Sequence, residues 1–249
     1  MKALLVAAAL VLTTASTHAQ QSGTSFTSGA NGQENLKALI NGSPTVVPDT
    51  RYEGLRGSPY AVARWLPAVI TTSHDAVLQP VPLKYDVFQR RLLMRNPQKG
   101  DSIQLNDNLI KSFVLTDSLL PDLATGQPYE RHFRRFLEAP EMRRQAEFVE
   151  VLHAGKQYTL LKRYVKKLDQ ASYKGAYSSD KRYDELLDKD EYYLRRPDGT
   201  LETMKPTLKA LQAAAPKLAD SLKAEAGKQK INGKSDAELA RLLNAVDPA

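Results

Sequence analysis

Between Lys156 and Arg196 the chain gathers seven of its eleven tyrosines: Tyr158, Tyr164, Tyr173, Tyr177, Tyr183, Tyr192 and Tyr193. Among them stand Lys162, Arg163, Lys166, Lys167, Lys174, Lys181, Arg182, Arg195 and Arg196. Aromatic faces interleaved with cations bind sugars, bases or anionic polymers, because the rings offer stacking area and the cations attract charge. The candidate binding residues are therefore Tyr158, Arg163, Tyr164, Lys166, Tyr173, Tyr177, Arg182, Tyr183, Tyr192, Tyr193 and Arg195. The plainer alternative is that the tyrosines pack over a sheet edge while the lysines keep that edge soluble and unpaired. The same alternative covers Arg131, Arg134, Arg135, Arg143 and Arg144, which alternate with Glu130, Glu138 and Glu141.

Other reactive residue types lack the spacing that chemistry needs. His74, His132 and His153 are far apart, none sits in an H-E-x-x-H pattern, and they read as exposed strand histidines. With no cysteine in the chain, a zinc site would need distant histidines and carboxylates to converge. Neither G-x-S-x-G nor S-x-x-K is present to fix a nucleophilic serine, and Gly57-Ser58-Pro59 is no substitute, because Pro59 lacks the amide that would help an oxyanion. The carboxylates at Asp184, Glu185, Asp188, Asp190 and Glu191 do not follow the alternating ligand pattern of a calcium loop. They read as a solvated acidic edge paired with nearby Lys and Arg. Phosphate-cradling glycine loops are missing too. The sequence thus points to no catalytic residue, metal or cofactor.

The N-terminus sets the compartment. Met1-Lys2 is followed by an apolar run from Ala3 to Leu12, then by small polar residues, and Thr17-His18-Ala19 offers a signal peptidase site with cleavage between Ala19 and Gln20. That is the order of a secretory signal peptide, and the run is shorter than the roughly 20 residues that span a bilayer. No cysteine is available for lipid attachment or for a disulfide, so the exported protein is expected to be soluble, periplasmic or extracellular, with a core that carries its stability alone. A formal charge of +7 suits contact with anionic surfaces, and it also serves plain solubility. Export argues against nucleic acid as the cellular ligand and leaves an envelope protein or an anionic glycan as the expected partner.

The elements that must position these residues follow from the apolar pattern. Residues 20–50 read as a flexible leader rich in Gln, Ser, Gly and Thr. From 51 to 204, runs of roughly 5 to 8 residues alternate and are separated by turns, the pattern of an antiparallel meander or barrel-like sheet. Val81, Leu83, Tyr85 and Val87 share one face; Ser102 to Asn106, Ile110 to Leu115, Glu130 to Phe136 and Glu147 to His153 are further strands. Gly155-Lys156 marks a hairpin tip, and Asp198-Gly199 marks another between Glu191–Arg195 and Thr200–Met204. Residues 205–249 are helical: Leu208, Leu211, Ala215, Leu218 and Leu222 recur at helical spacing, with Pro216 dividing the run and Gly227 and Gly233 ending it. Ser235-Asp-Ala-Glu238 is a capping box before Leu239, Leu242, Leu243 and Val246. The expected class is α+β, with short helices packed on the sheet.

An ordered set of short patterns adds a resemblance. Gly57-Ser-Pro-Tyr60 with Trp65, Val81-Pro-Leu-Lys-Tyr-Asp86, Gly100-Asp-Ser-Ile103, Ser112-Phe113, Lys162-Arg-Tyr-Val-Lys-Lys167, Lys174-Gly-Ala-Tyr177, Arg182-Tyr183 and Glu191-Tyr-Tyr-Leu194 occur in that order. Together they resemble a group of exported proteins of Bacteroidetes-type bacteria with no assigned function. The resemblance implies a diderm envelope and transfers no activity. The expected role is a non-enzymatic binding or structural module using the basic, tyrosine-rich face; the alternative is an exported hydrolase whose polar residues meet only in three dimensions.

Overall fold

The alternating runs become strands. A computed structural model describes residues 37, 39, 45–78, 80–96, 100–122, 125–172 and 182–249. The expected signal peptide with its Ala19–Gln20 cleavage site lies outside the described residues, as do most of the leader, Tyr173 and Tyr177. The strands are β1 (Thr45–Val47), β2 (Leu66–Thr72), β3 (Val81–Asp86), β4 (Arg91–Arg95), β5 (Ser102–Gln104), β6 (Ile110–Pro121) and β7 (Pro128–Arg135). After the short helix α1 (Met142–Gln145) come β8 (Phe148–Ala154), β9 (Thr159–Arg163), β10 (Lys166–Asp169), β11 (Glu185–Asp188), β12 (Glu191–Arg195) and β13 (Leu201–Met204). The chain closes with α2 (Leu208–Ala214), α3 (Ala219–Gln229) and α4 (Asp236–Val246). The molecule is α+β, as expected, and β1 lies inside the stretch read as leader.

Eleven strands form one antiparallel sheet in the order β1-β5-β4-β3-β2-β6-β7-β8-β9-β12-β13, with β10 and β11 as a separate ribbon. The sheet curls strongly. In a flat sheet β3 and β8 would stand four strand spacings apart, roughly 19 Å. Yet the rings of Tyr85 on β3 and Phe148 on β8 have centroids 5.8 Å apart. Phe113 and Phe133 stack between them at 4.8 Å. This aromatic nest, with Leu66, Ile70, Leu83, Leu92 and Leu115, is the first core.

A second core lies under the C-terminal helices, where Leu152, Tyr158, Leu160, Tyr192 and Leu194 meet Leu211, Leu222, Leu239, Leu242 and Leu243. Pro216 divides the helical run as its missing amide requires: α2 stops at Ala214, a 3₁₀ turn spans Pro216–Leu218, and α3 follows. Gly227 does not end that helix. The helix passes through it and stops at Lys230, which takes a left-handed φ of 54°. The Ser235 hydroxyl accepts from the Glu238 amide at 3.2 Å, as the capping box predicts. Glu238 in turn accepts from the amide of Lys234, one residue before the cap. On the other face of the sheet a small third core joins Phe136, Ala139, Val149, Leu161 and Tyr193.

Among the described residues no helix is long and apolar enough to cross a membrane.

Candidate functional site

The sheet is not continuous along its length. The ladder between β7 and β8 runs from Arg135↔Phe148 to His132↔Val151 and stops there. Beyond that rung β7 continues to Pro128 alongside β6, with Thr116 opposite Glu130 and Asp117 opposite Tyr129. β8 continues instead alongside β9, after a register shift between Val151 and His153. An extra residue in one strand bends it and increases its twist, so the two strands diverge. Helix α4 crosses the gap and closes one side of a cleft of about 660 Å³. Thr116, Gln127, Tyr129, Glu130 and His132 line the β6–β7 side, Val151 and Leu152 the β8 side, and Ala237, Ala240, Arg241 and Asn244 the helix side.

Two devices hold α4 in place. The first is at its C-terminal end. Asp247 accepts from the backbone amide of Tyr158 at 2.8 Å and from that of Gln157 at 3.1 Å, which ties the helix end to the β8–β9 turn. His153 Nδ1 stands 2.5 Å from Asn244 Oδ1, and its Nε2 stands 3.5 Å from Asp247 Oδ2. Gly155 is required here, since a Cβ would fall 2.2 Å from the Asp247 carbonyl oxygen. His153 is thus not an exposed strand histidine: its side chain is fully buried, because the bulge in β8 turns it beneath α4. His132 keeps the expected exposure.

The second device is a charged seam between the first and second cores. Glu150 is 1% exposed and accepts from Arg131 at 3.0 Å and from the Tyr164 hydroxyl at 2.5 Å. Lys162 donates to Asp236 at 2.7 Å and reaches Asp190 at 3.2 Å. The Tyr192 hydroxyl also donates to Asp236, at 2.8 Å, so the first residue of α4 is held by β9 and β12 together. Burial, and then the charge of Glu150, push the Tyr164 hydroxyl well above the ordinary tyrosine value. Burial would lower the Lys162 ammonium, but the bond to Asp236 and the charges of Asp236 and Asp190 outweigh it and hold the group above the usual lysine value. Tyr129 joins seam to cleft: its ring lies 5.1 Å from the Arg131 guanidinium, and burial followed by the Glu150 charge pushes its hydroxyl up to about 12.

Among the described residues the expected tyrosine-rich face is not assembled as one surface. Tyr158, Tyr164, Tyr192 and Tyr193 are all buried. Neighbouring strand residues point to opposite sides of a sheet. Tyr192 therefore enters the second core, while Tyr193 enters the third, its ring 5.0 Å from Phe136 and its hydroxyl donating to Glu191. Arg163 is buried between Glu147 at 2.7 Å and Glu191 at 3.0 Å. Lys166 pairs with Asp188 across the β10–β11 ribbon. Arg195 is half-buried at the end of β12. Arg182 and Tyr183 are exposed, and Arg56 lays its guanidinium 3.8 Å from the Tyr183 ring. Arg182 and Tyr183 border a second depression formed with Glu53, Leu55, Gln170 and Asp184.

The acidic edge behaves as a set of partners: Asp188 with Lys166, Asp190 with Lys162, Glu191 with Arg163. Among the described residues no three His, Asp or Glu side chains are grouped as a metal site would require. Sequence reasoning did not single out Glu150, Asp236, Asn244 or Asp247. For Glu150 a signal existed: one carboxylate inside the run Phe148-Val-Glu-Val-Leu-His153 must find a cation once both faces of that strand are covered. Comparison of the chain with family models, with curated proteins and with solved structures finds no match.

Proposed function

We propose that this protein is an exported, non-enzymatic binding module of the cell envelope and that its ligand enters the cleft between β7 and α4. The observation that carries this reading is the gap in the ladder beyond His132↔Val151, held open by an anchored helix. A cleft walled by rigid elements is a pre-formed site, and such sites lose little ordering entropy on binding. The charged groups behind it support binding over proton transfer. Glu150 is engaged by Arg131 and Tyr164, and Asp236 by Lys162 and Tyr192, so they hold shape. The signal-peptide pattern of residues 1–19 supports export. The partner favoured is an envelope protein; an anionic glycan is the other outcome that the test can return.

The test uses residues 20–249 as bait for envelope extract, at low and at moderate salt, with wild type beside Tyr129→Ala and Arg241→Glu. Wild type should retain a defined partner that both variants release, while all three remain cooperatively folded. Equal capture by wild type and both variants would place binding elsewhere and overturn the assignment of the cleft.

A further inference from the structure

The cleft has a wall of unusual chemistry, namely the main chain of β7. Residues Pro128–Arg131 have β6 on one side and the cleft on the other. The direction of their backbone groups follows from the ladder. The Phe136 amide donates to the carbonyl of Glu147, across the sheet toward β8. In an antiparallel pair the residues that exchange bonds alternate along the strand. Even-numbered residues of β7 therefore turn their N–H and C=O toward β8, and odd-numbered ones turn theirs toward β6. His132 is the last even residue with a β8 partner. Glu130 is the next, and it presents one amide and one carbonyl to the cleft.

We infer, on the reading that the cleft is the binding site, that its ligand is an extended peptide segment of a partner protein, added as a strand along Pro128–Arg131. A second backbone matches an amide and a carbonyl set side by side on a strand, which is why free edges recruit peptides. The other walls fit a strand as well. Residues of such a peptide that point toward α4 meet Ala237, Ala240 and Leu152, small or apolar side chains that leave room for a side chain of moderate size. Residues pointing the other way lie beside Glu130 and His132, both more than half exposed. The ligand thus carries apolar residues at every second position on the helix side and polar ones between them. Four residues of β7 give a paired length of roughly 13 Å.

The Glu130 amide separates this mode from recognition by side chains alone. Glu130→Pro removes the donor that faces the cleft and leaves the bonds to β6 intact, since proline is tolerated where a strand's N–H faces outward. Glu130→Ala keeps the donor and removes only an exposed carboxylate. The probe is a displayed library of random linear nonapeptides, selected on residues 20–249 and read for sequence pattern and affinity. Enrichment of peptides with apolar residues at alternate positions is expected. Their affinity should fall about tenfold in Glu130→Pro, hold within about twofold in Glu130→Ala, and fall in Tyr129→Ala. Should Glu130→Pro fail to fold, exchange of the Glu130 amide in wild type decides instead, and a selected peptide should slow it.

Peptides lost by Tyr129→Ala but indifferent to Glu130→Pro would leave the cleft standing as the site and refute strand addition. Peptides unaffected by either change would refute both. No enrichment, or no slowing of exchange by a bound peptide, overturns the peptide assignment.

Discussion

Glu150 is the carboxylate on which the two cores lean, and replacing it with leucine is the sharpest probe of the seam. Its side chain is 1% exposed and that of Arg131 is 17% exposed. Glu150→Leu leaves a guanidinium largely buried without its counter-charge and leaves the Tyr164 hydroxyl without its 2.5 Å acceptor. Removing one member of a buried ion pair costs about 3–5 kcal/mol, and an orphaned buried hydroxyl about 1–3 kcal/mol. These overlap, because one relaxed arrangement or one entering water can relieve both. The partial exposure of Arg131 lets it recover some hydration. The expected loss is therefore about 3–4 kcal/mol, or roughly 6–16 °C in Tm for a protein of this size.

The assay is urea unfolding of wild type, Glu150→Leu, Arg131→Leu and the double variant. The double variant removes both charges and should recover part of the loss, since an apolar pair of similar volume is often close to neutral at a buried site. A coupling of about 2 kcal/mol is expected from this cycle. If Glu150→Leu falls within about 0.5 kcal/mol of wild type, as an ordinary surface change does, the seam is not a buried ion pair. If the double variant is no better than the sum of the singles, Arg131 and Glu150 are not partners, and the account of how β7 and β8 are held at the base of the cleft fails.

Two further tests address the anchoring of α4 and the ionisation of the buried tyrosines. Gly155→Ala drives a methyl against the backbone oxygen of Asp247 and should cost about 1–3 kcal/mol with faster amide exchange in α4. Gly227→Ala, with open space inside α3, should instead add up to about 1 kcal/mol, and the opposite signs in paired melts check the reading. Burial first, then bonding to Asp236 and Glu191 respectively, puts the hydroxyls of Tyr192 and Tyr193 at about 12, against an ordinary value of 10.0. Because the folded values are raised, the stability linked to these hydroxyls is fully present below pH 10.0 and is lost as pH rises from there toward 12. Ultraviolet titration should show late tyrosinate formation that moves earlier on unfolding in urea; two curves that coincide would contradict their burial.

The α+β architecture is legible because short alternating runs, turn glycines and a capping box each act locally. Gly199 takes positive φ at the turn where it was expected, and Ser235 caps the helix it precedes. The tyrosine-rich surface fails for a reason that the strand assignment already contains. Tyr192 and Tyr193 are adjacent in β12, so period-two geometry sends them to opposite faces, each of which is covered. Composition counted rings and cations in one window of sequence, whereas a face selects every second residue and draws the rest from other strands. Glu150 meets Arg131 only because β7 and β8 pair in a given register, and Asp247 reaches Tyr158 only once α4 has docked. Such partnerships depend on loop lengths and docking angles that no local pattern specifies.

The bulge in β8 links the fold to the proposed binding cleft. A sheet that curls enough to bring Tyr85 against Phe148 places a strain on straight strands paired along their full length. The register shift between Val151 and His153 relieves that constraint at one place. It has three consequences together: β8 leaves β7, His153 turns under α4, and Leu152 passes from the sheet into the helix-covered core. The gap and its roof therefore have one origin. A change that restored continuous pairing between β7 and β8, by removing one residue from the β8 bulge, would close the cleft and unseat α4 at once. The fold can thus hold the second core in place only while the edge of β7 stays open, which makes the open edge part of the architecture and not a defect at its margin.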